Sequence, residues 1–218
     1  MKKYILFISL FLNLVFVFFV IRHFVNAPGQ IDRQKPPFRS RRLEILSKMP
    51  IDSTDVIFAG DSHTLQFQLE ELFHSLKVKN RGINSETSDG LLNRADELTK
   101  GRPSKIFIEI GVNDLNREPV SYVKESINVL ILKIKKNSPR TKIYLESVLP
   151  TILLLPKIKE LNKLLPGVAN SNKITFIDLD PYFMGNGLKE QYDSGDRLHL
   201  NGEGYLEWRD VLLKYFNE

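Results

Sequence analysis

The sequence contains no cysteine among its 218 residues. Disulfide bonds, thiolate metal sites and a cysteine nucleophile are therefore excluded, although a chain without disulfides can still be exported. Histidine is also scarce, with four residues in the chain, so few side chains can act as a general base near neutral pH.

Positive charge is concentrated at the N-terminus. The net charge is +5, yet residues 1–48 hold nine Lys and Arg against two acidic residues, so the rest of the chain is mildly acidic. A protein that follows nucleic acid phosphates would carry its basic residues on the folded domain. The pattern favours a membrane surface as partner and argues against nucleic acid.

Residues 4–21, YILFISLFLNLVFVFFVI, form an uncharged run of 18 residues that can span a bilayer. We therefore predict a transmembrane anchor over residues 1–25. A cleaved signal peptide is the alternative, since Val25–Ala27 is a passable cleavage site, but the run is longer than a usual signal core. Lys2 and Lys3 favour a single-pass protein whose folded domain lies outside the cytoplasm, whereas the basic residues of 33–42 favour the opposite orientation.

Residues 26–42 are rich in Pro, Gly and basic residues and predict a stalk without a core of its own. From residue 43 to 218, short apolar runs alternate with amphipathic stretches, as in βαβ units. This pattern predicts one α/β domain with a doubly wound parallel sheet. The predicted strands are near 55–59, 76–80, 105–110, 142–148 and 174–178, and the predicted helices near 65–74, 88–99, 119–137, 156–165 and 202–216.

The first strand runs into Gly60, Asp61 and Ser62 in the segment VIFAGDSHT. Ligands of open α/β sheets bind beyond the carboxyl ends of the strands, so Ser62 is well placed to be a nucleophile. A Ser or Asp helix cap after a Gly turn would produce the same letters. The next two strands end at Gly82 and at Asn113, whose backbone N–H and carboxamide could stabilise an oxyanion, although both are also common turn residues.

Asp196 and His199 are three residues apart in GDRLHL. On a helical turn this spacing places the carboxylate where it can hold the imidazole Nδ1–H and leave Nε2 free as a base. Asp193 is a weaker alternative for that carboxylate. His63 is adjacent to Ser62 in sequence, and we expect it to line the pocket.

Four blocks of the sequence occur in this order: Gly60-Asp61-Ser62, Gly82, Gly111-Val112-Asn113-Asp114 and Asp196-Arg197-Leu198-His199. In these blocks and their order, the sequence from about 55 to 216 resembles the SGNH hydrolases, also called the GDSL esterases and lipases. The resemblance implies a flavodoxin-like three-layer α/β/α fold and serine ester hydrolysis without a metal or other cofactor. It implies Ser62 as nucleophile, His199 as base and Asp196 as its orienter. The oxyanion hole would comprise Ser62 N–H, Gly82 N–H and Asn113. Substrate contacts are expected from His63, Asp61 and Leu198.

The sequence departs from that family at His63, where Leu or Ile is usual, and at Ser85 and Arg197, where Gly is common. No catalytic group is lost, and we expect these residues to add polar atoms near the pocket. The G-x-S-x-G motif of the unrelated α/β-hydrolases is absent, since Thr64 occupies its last position.

We expect an esterase that removes small acyl groups, chiefly acetyl, from a cell-envelope carbohydrate through an acyl-enzyme intermediate. A lysophospholipase or thioesterase that acts on long acyl chains is the alternative with the same chemistry. A non-catalytic envelope binding or assembly protein is the alternative of another class. Acyl transfer to a sugar hydroxyl instead of water is a further possibility.

Overall fold

The computed structural model describes residues 37–218, so the predicted anchor and most of the predicted stalk lie outside the described residues. The end of the predicted stalk is helical, because a helix begins at Pro37. Within residues 37–218, no helix is both long enough and apolar enough to cross a membrane. The prediction for residues 4–21 therefore stays a prediction.

Five parallel strands form one sheet in the order β2-β1-β3-β4-β5. They are β1 (Val56–Gly60), β2 (Val78–Gly82), β3 (Lys105–Glu109), β4 (Lys142–Glu146) and β5 (Thr175–Ile177). With helices on both faces, this confirms the predicted flavodoxin-like α/β/α fold. The order reverses between β1 and β3, and ligands of such sheets bind in the crevice at that point.

Nine α-helices lie within the described residues: α1 (Pro37–Lys48), α2 (Ser62–Gln66), α3 (Leu69–Leu72), α4 (Ser88–Asn93), α5 (Ala95–Thr99), α6 (Val120–Asn137), α7 (Leu155–Asn172), α8 (Asp180–Phe183) and α9 (Gly202–Phe216). A small antiparallel ribbon pairs β6 (Met184–Gly185) with β7 (Gly187–Leu188). Helix α7 extends past its predicted end at 165, with Pro166 inside it, because Leu165, Val168 and Ala169 remain buried against the sheet.

The strands alternate their side chains between two cores. On one face, Ile57, Ile106 and Ile143 pack with α4 to α7. On the other, the aromatic rings of Phe58, Phe107 and Tyr144 stack across neighbouring strands, with centroids 4.7 and 4.5 Å apart, in the core that includes α9. The two cores hold the sheet rigid and thereby fix the strand ends that carry the polar residues.

Candidate active site

Ser62 stands at the first position of α2, directly after β1. Gly60 is required at the strand end, because a Cβ there would overlap the carbonyl oxygen of Glu109 on the neighbouring strand. Asp61 caps α2, since its Oδ1 accepts the N–H of His63 at 2.9 Å. The helix-cap interpretation of this segment therefore applies to Asp61, and it leaves the hydroxyl of Ser62 free for other contacts.

The structure brings Ser62, His199 and Asp196 together. Ser62 Oγ lies 3.0 Å from His199 Nε2, and His199 Nδ1 lies 2.6 Å from Asp196 Oδ2. The loop is a series of bends rather than the predicted helical turn. Asp196 shapes it, because Oδ1 accepts the N–H groups of Leu198 and His199 at 2.9 and 2.7 Å. Such a chain can take the serine proton during attack on an electrophilic carbon.

Asp193, the alternative carboxylate, has a different task. Its Oδ1 accepts the N–H groups of Gly195 and Arg197 at 2.8 and 2.9 Å, which tightens the turn before Asp196.

The burial of Asp196 acts to raise its pKa, but hydrogen bonds from the His199 side chain and from the backbone of His199 and Leu198 outweigh it and hold the pKa well below its usual range. Asp196 therefore remains an acceptor for His199 even in acid.

Asn113 follows β3 and begins a 3₁₀ turn over Asp114–Asn116. Its Nδ2 donates to Asp61 Oδ2 at 3.2 Å and to the carbonyl oxygen of Glu86 at 3.0 Å. Both amide hydrogens are thus engaged in the resting site. To reach a substrate oxygen, the amide has to give up one of these two contacts.

The prediction for Gly82 is wrong. Its N–H donates to Asn80 Oδ1 at 2.9 Å within a buried strand, so it is not offered to an oxyanion. Glycine is needed there for packing, because a Cβ would overlap the backbone nitrogen of Leu65. The loop after β2 offers Ser85 instead, which is exposed, has φ of 55° and borders the same cleft as Asn113. Within the described residues, no backbone acceptor engages its N–H.

Two positions where the resembled family often has glycine, Ser85 and Arg197, have φ of 55° and 63°. A positive φ of this size is the left-handed region, which glycine adopts without steric strain. Any other residue in this conformation destabilises the fold by about 1 kcal/mol. The carbonyl of Arg197 accepts a hydrogen bond from Thr151 Oγ1 at 2.8 Å, which helps to hold this conformation. Both positions therefore have the backbone conformation that favours glycine, and each carries a side chain there.

The expectation that His63 and Asp61 touch substrate is wrong, because both are fully buried, at 0% exposed. His63 is turned under the sheet edge, where Nε2 lies 2.9 Å from the carbonyl oxygen of Leu198. Leu198 uses its backbone for this contact, and its half-buried side chain packs against the apolar core. A substrate contact by the Leu198 side chain stays a prediction.

Sequence reasoning overlooked Glu109, which lies beneath the site and is 1% exposed. An ionisable residue inside the apolar run KIFIEI was the available indication, because such a strand is buried on both faces. Asp61, His63 and Glu109 are the one group in residues 37–218 whose atoms are close enough together to hold a metal ion. A proton on His63 can balance the negative charges of Asp61 and Glu109 in place of a metal ion.

Two surfaces of different character adjoin the site. A cleft of about 440 Å³ has only polar lining residues: Ser85, Thr87, Asp89, Asn113, Asp114, Asn116, Arg117 and Glu118. On the other side, Thr151 contacts the His199 loop and is followed by the apolar turn Ile152–Leu154. Leu153 is 86% exposed and Ile152 39%, so this turn presents apolar side chains to solvent.

The chain is similar to known proteins in sequence and in fold. Residues 57–206 match the model of the GDSL-like lipase/acylhydrolase family. Similar solved structures include a candidate platelet activating factor from Streptococcus pneumonia (25% identity, TM-score 0.74, covering 82% of this chain and 92% of that one). A GDSL-like lipase from Bacteroides thetaiotaomicron is 24% identical, with TM-score 0.73 and coverage of 82% and 97%. A carbohydrate esterase family 3 structure from Talaromyces cellulolyticus shares the fold at 15% identity, with TM-score 0.64 and coverage of 75% and 96%. No curated protein matches the sequence.

Proposed function

The chain belongs to the GDSL-like lipase/acylhydrolase family and is an ester-hydrolysing enzyme, and we propose that it removes small acyl groups, chiefly acetyl, from a carbohydrate of the cell envelope. The observation that carries the proposed chemistry is the chain of contacts from Ser62 Oγ through His199 to Asp196. The envelope location rests on the predicted anchor over residues 1–25.

In the proposed mechanism, His199 Nε2 takes the proton of Ser62 as its oxygen attacks the ester carbonyl carbon. The developing oxyanion accepts hydrogen bonds from Ser62 N–H, Ser85 N–H and Asn113 Nδ2. His199 then returns the proton to the leaving alcohol, and an acyl-enzyme remains on Ser62. A water molecule, deprotonated by His199, attacks this ester, and His199 returns the proton to Ser62 Oγ as the acid leaves. Asp196 holds the imidazole and stabilises its cationic form throughout.

The polar cleft supports a polar alcohol such as a sugar. Its lining offers hydroxyl, amide, carboxylate and guanidinium groups that can hydrogen-bond sugar hydroxyls. Ser85 and Asn113 belong both to this cleft and to the proposed oxyanion hole, so a sugar bound there would carry its ester at the reacting serine. The carbohydrate esterase that shares the fold suggests the same substrate class.

The apolar turn Ile152–Leu154 favours a second candidate function, hydrolysis of long acyl esters. Leu153 is exposed beside the His199 loop, where a fatty chain leaving the site could cover it. Each methylene buried there would contribute about 0.8 kcal/mol, a threefold to fourfold gain in kcat/KM.

Nitrophenyl esters of two to ten carbons distinguish the two functions in the full chain. We expect kcat/KM to be highest for acetyl or propionyl and to fall with length. Leu153→Asn should leave the acetyl rate unchanged, and Arg117→Ala should reduce turnover of acetylated oligosaccharides more than of nitrophenyl acetate. A steady rise with chain length that Leu153→Asn abolishes would replace the carbohydrate proposal with the lipid one.

A further inference from the structure

Beneath the proposed catalytic residues lies a second group of ionisable side chains, Asp61, His63 and Glu109, sealed from solvent. His63 Nδ1 is 3.3 Å from Asp61 Oδ1 and 3.7 Å from Glu109 Oε2. Neither Nδ1 nor Glu109 Oε2 has a hydrogen-bond partner of ordinary length among the described residues. Buried polar atoms without partners are costly, so this arrangement calls for a physical explanation.

Counting protons supplies that explanation. Leu198 offers a carbonyl oxygen, which only accepts, so His63 Nε2 must carry a proton. If Nδ1 were bare, its lone pair would face two carboxylate oxygens in a space closed to solvent. A second proton, on Nδ1, makes both contacts attractive, because an imidazolium then stands between two carboxylates.

The peptide group between Leu198 and His199 is held at both ends. Its carbonyl oxygen accepts from His63 Nε2 at 2.9 Å, and its N–H donates to Asp196 Oδ1 at 2.7 Å. Because His199 lies on a loop without regular secondary structure, the position of its ring depends on these backbone contacts, on the Nδ1 contact with Asp196 Oδ2 and on the Thr151 contact at Arg197.

We propose that His63, protonated on both nitrogens between Asp61 and Glu109, is a positioning residue that clamps the Leu198 carbonyl and so places His199 against Ser62. A cationic donor makes a stronger hydrogen bond to a carbonyl than a neutral one does. The family's usual Leu or Ile at this position has no such donor. The proposal rests on the proposed function, since it concerns how the catalytic loop is held.

Burial and the neighbouring charges both shift the pKa values of His63 and of the groups around it. Burial acts to lower the pKa of His63, but the hydrogen bonding and negative charges of Asp61 and Glu109 outweigh it and raise the pKa well above its ordinary value. Burial, followed by the charge of Asp61, raises the pKa of Glu109. Tyr205 donates its hydroxyl to the His63 carbonyl, and burial, followed by the charges of Asp61 and Glu109, raises the pKa of Tyr205, so it stays neutral. The His199 ring lies 5.5 Å away, between centroids.

A further buried carboxyl, Glu146, is mostly neutral at pH 7, because burial, and after it the charge of Glu109, raises its pKa to about 8. The direction of the pH effect follows from the raised pKa of His63. The clamp is complete at and below an ordinary histidine pKa and is lost as pH rises through the higher pKa of the folded state.

The test combines one spectroscopic and one kinetic measurement on the full chain. Nitrogen NMR of the imidazole rings in the resting enzyme should show one histidine with both nitrogens protonated at pH 7.5, and this signal should be absent in His63→Gln. Kinetically, His63→Leu should lower kcat for nitrophenyl acetate by about 10²-fold with little change in KM, and His63→Gln, which keeps a donor, should recover part of the loss. His74→Asn, at an exposed histidine with φ of 48°, is the matched control and should keep full activity.

An NMR spectrum in which His63 Nδ1 is unprotonated at pH 7.5 would overturn the proposal, and it can be recorded even if a variant fails to fold. A folded His63→Leu enzyme with unchanged kcat would overturn it as well, as would one equivalent of a tightly bound metal ion that is lost in Glu109→Gln. These outcomes are distinguishable from a failure of the proposed function, because that failure would appear as unchanged esterase activity in Ser62→Ala.

Discussion

Two histidines of this enzyme interact with carboxylates, and their surroundings are opposite. The His199 side chain is 24% exposed, lies on a loop and contacts one carboxylate at 2.6 Å. His63 is fully buried at the start of α2 and faces two carboxylates at longer distances. An imidazole that must exchange protons with substrate needs access and one firm orienting bond. An imidazole that only holds a loop is better enclosed, where its proton cannot leave easily.

The largest expected effect tests the exposed histidine. Ser62→Ala and His199→Ala should each lower kcat by about 10⁴-fold or more, and the double variant should be no slower, because the residues act as one unit. Steady-state hydrolysis of nitrophenyl acetate measures this, with circular dichroism as the control for folding. A double variant much slower than either single one would show that the two residues do not share a step.

The next effect concerns the orienting carboxylate. Asp196→Asn should lower kcat by about 10³- to 10⁴-fold, because an amide can stabilise the wrong tautomer of His199 and cannot balance its charge. Asp193→Asn is the matched control, since an amide oxygen can still accept the two backbone N–H groups that Asp193 holds. If Asp193→Asn were the more damaging change, the roles assigned to these carboxylates would have to be exchanged.

A smaller effect is expected at the oxyanion. Asn113→Ala should lower kcat by about 10²- to 10³-fold with little change in KM, because the donor is used mainly in the transition state. The measurement is the split between kcat and KM for nitrophenyl acetate. A normal kcat in this variant would exclude Asn113 and leave the N–H groups of Ser62 and Ser85 as the proposed donors.

Glu146→Gln is expected to have no effect on activity, the smallest effect in this series. Its effect on stability reports how burial changes the pKa of a carboxyl group that takes no part in catalysis. Trp208 Nε1 donates to Glu146 at 2.6 Å, a contact that an amide oxygen preserves. Burial raises the pKa of Glu146 from its ordinary 4.5 to about 8. Between these values the folded state keeps a proton that the unfolded state loses, so this group lowers stability as pH rises.

Urea unfolding between pH 5 and 6.5 checks this effect, because His63 is protonated in both states over most of that range. The wild-type free energy of unfolding should lose about 1.4 kcal/mol per pH unit more than that of Glu146→Gln. Equal slopes for the two proteins would mean that Glu146 is ionised in the folded state.

The sequence was sufficient for the sheet and for the Ser62, His199 and Asp196 contacts. Apolar runs that end in glycine and polar residues locate buried strands, and parallel strands bring their ends to one edge. The role of the Gly82 N–H could not be predicted, because it depends on a hydrogen bond to the side chain of Asn80.

The burial of His63 could not be predicted from the sequence either. It follows from strand register, which sets Gly60 opposite Glu109 and thereby places a carboxylate beneath α2. Register between non-adjacent segments is not encoded in local spacing. The exposure of Leu153 likewise depends on the packing of the turn rather than on its composition.

Covalent labelling with a fluorophosphonate tests the central claim most directly, since such reagents capture a serine that is activated for attack. The full chain should gain one adduct, located by peptide mass spectrometry on Ser62, and esterase activity should disappear in proportion to labelling. Ser62→Ala should stay unlabelled. An adduct on another serine, or a fully labelled enzyme that still hydrolyses nitrophenyl acetate, would contradict the assignment of Ser62 as the nucleophile.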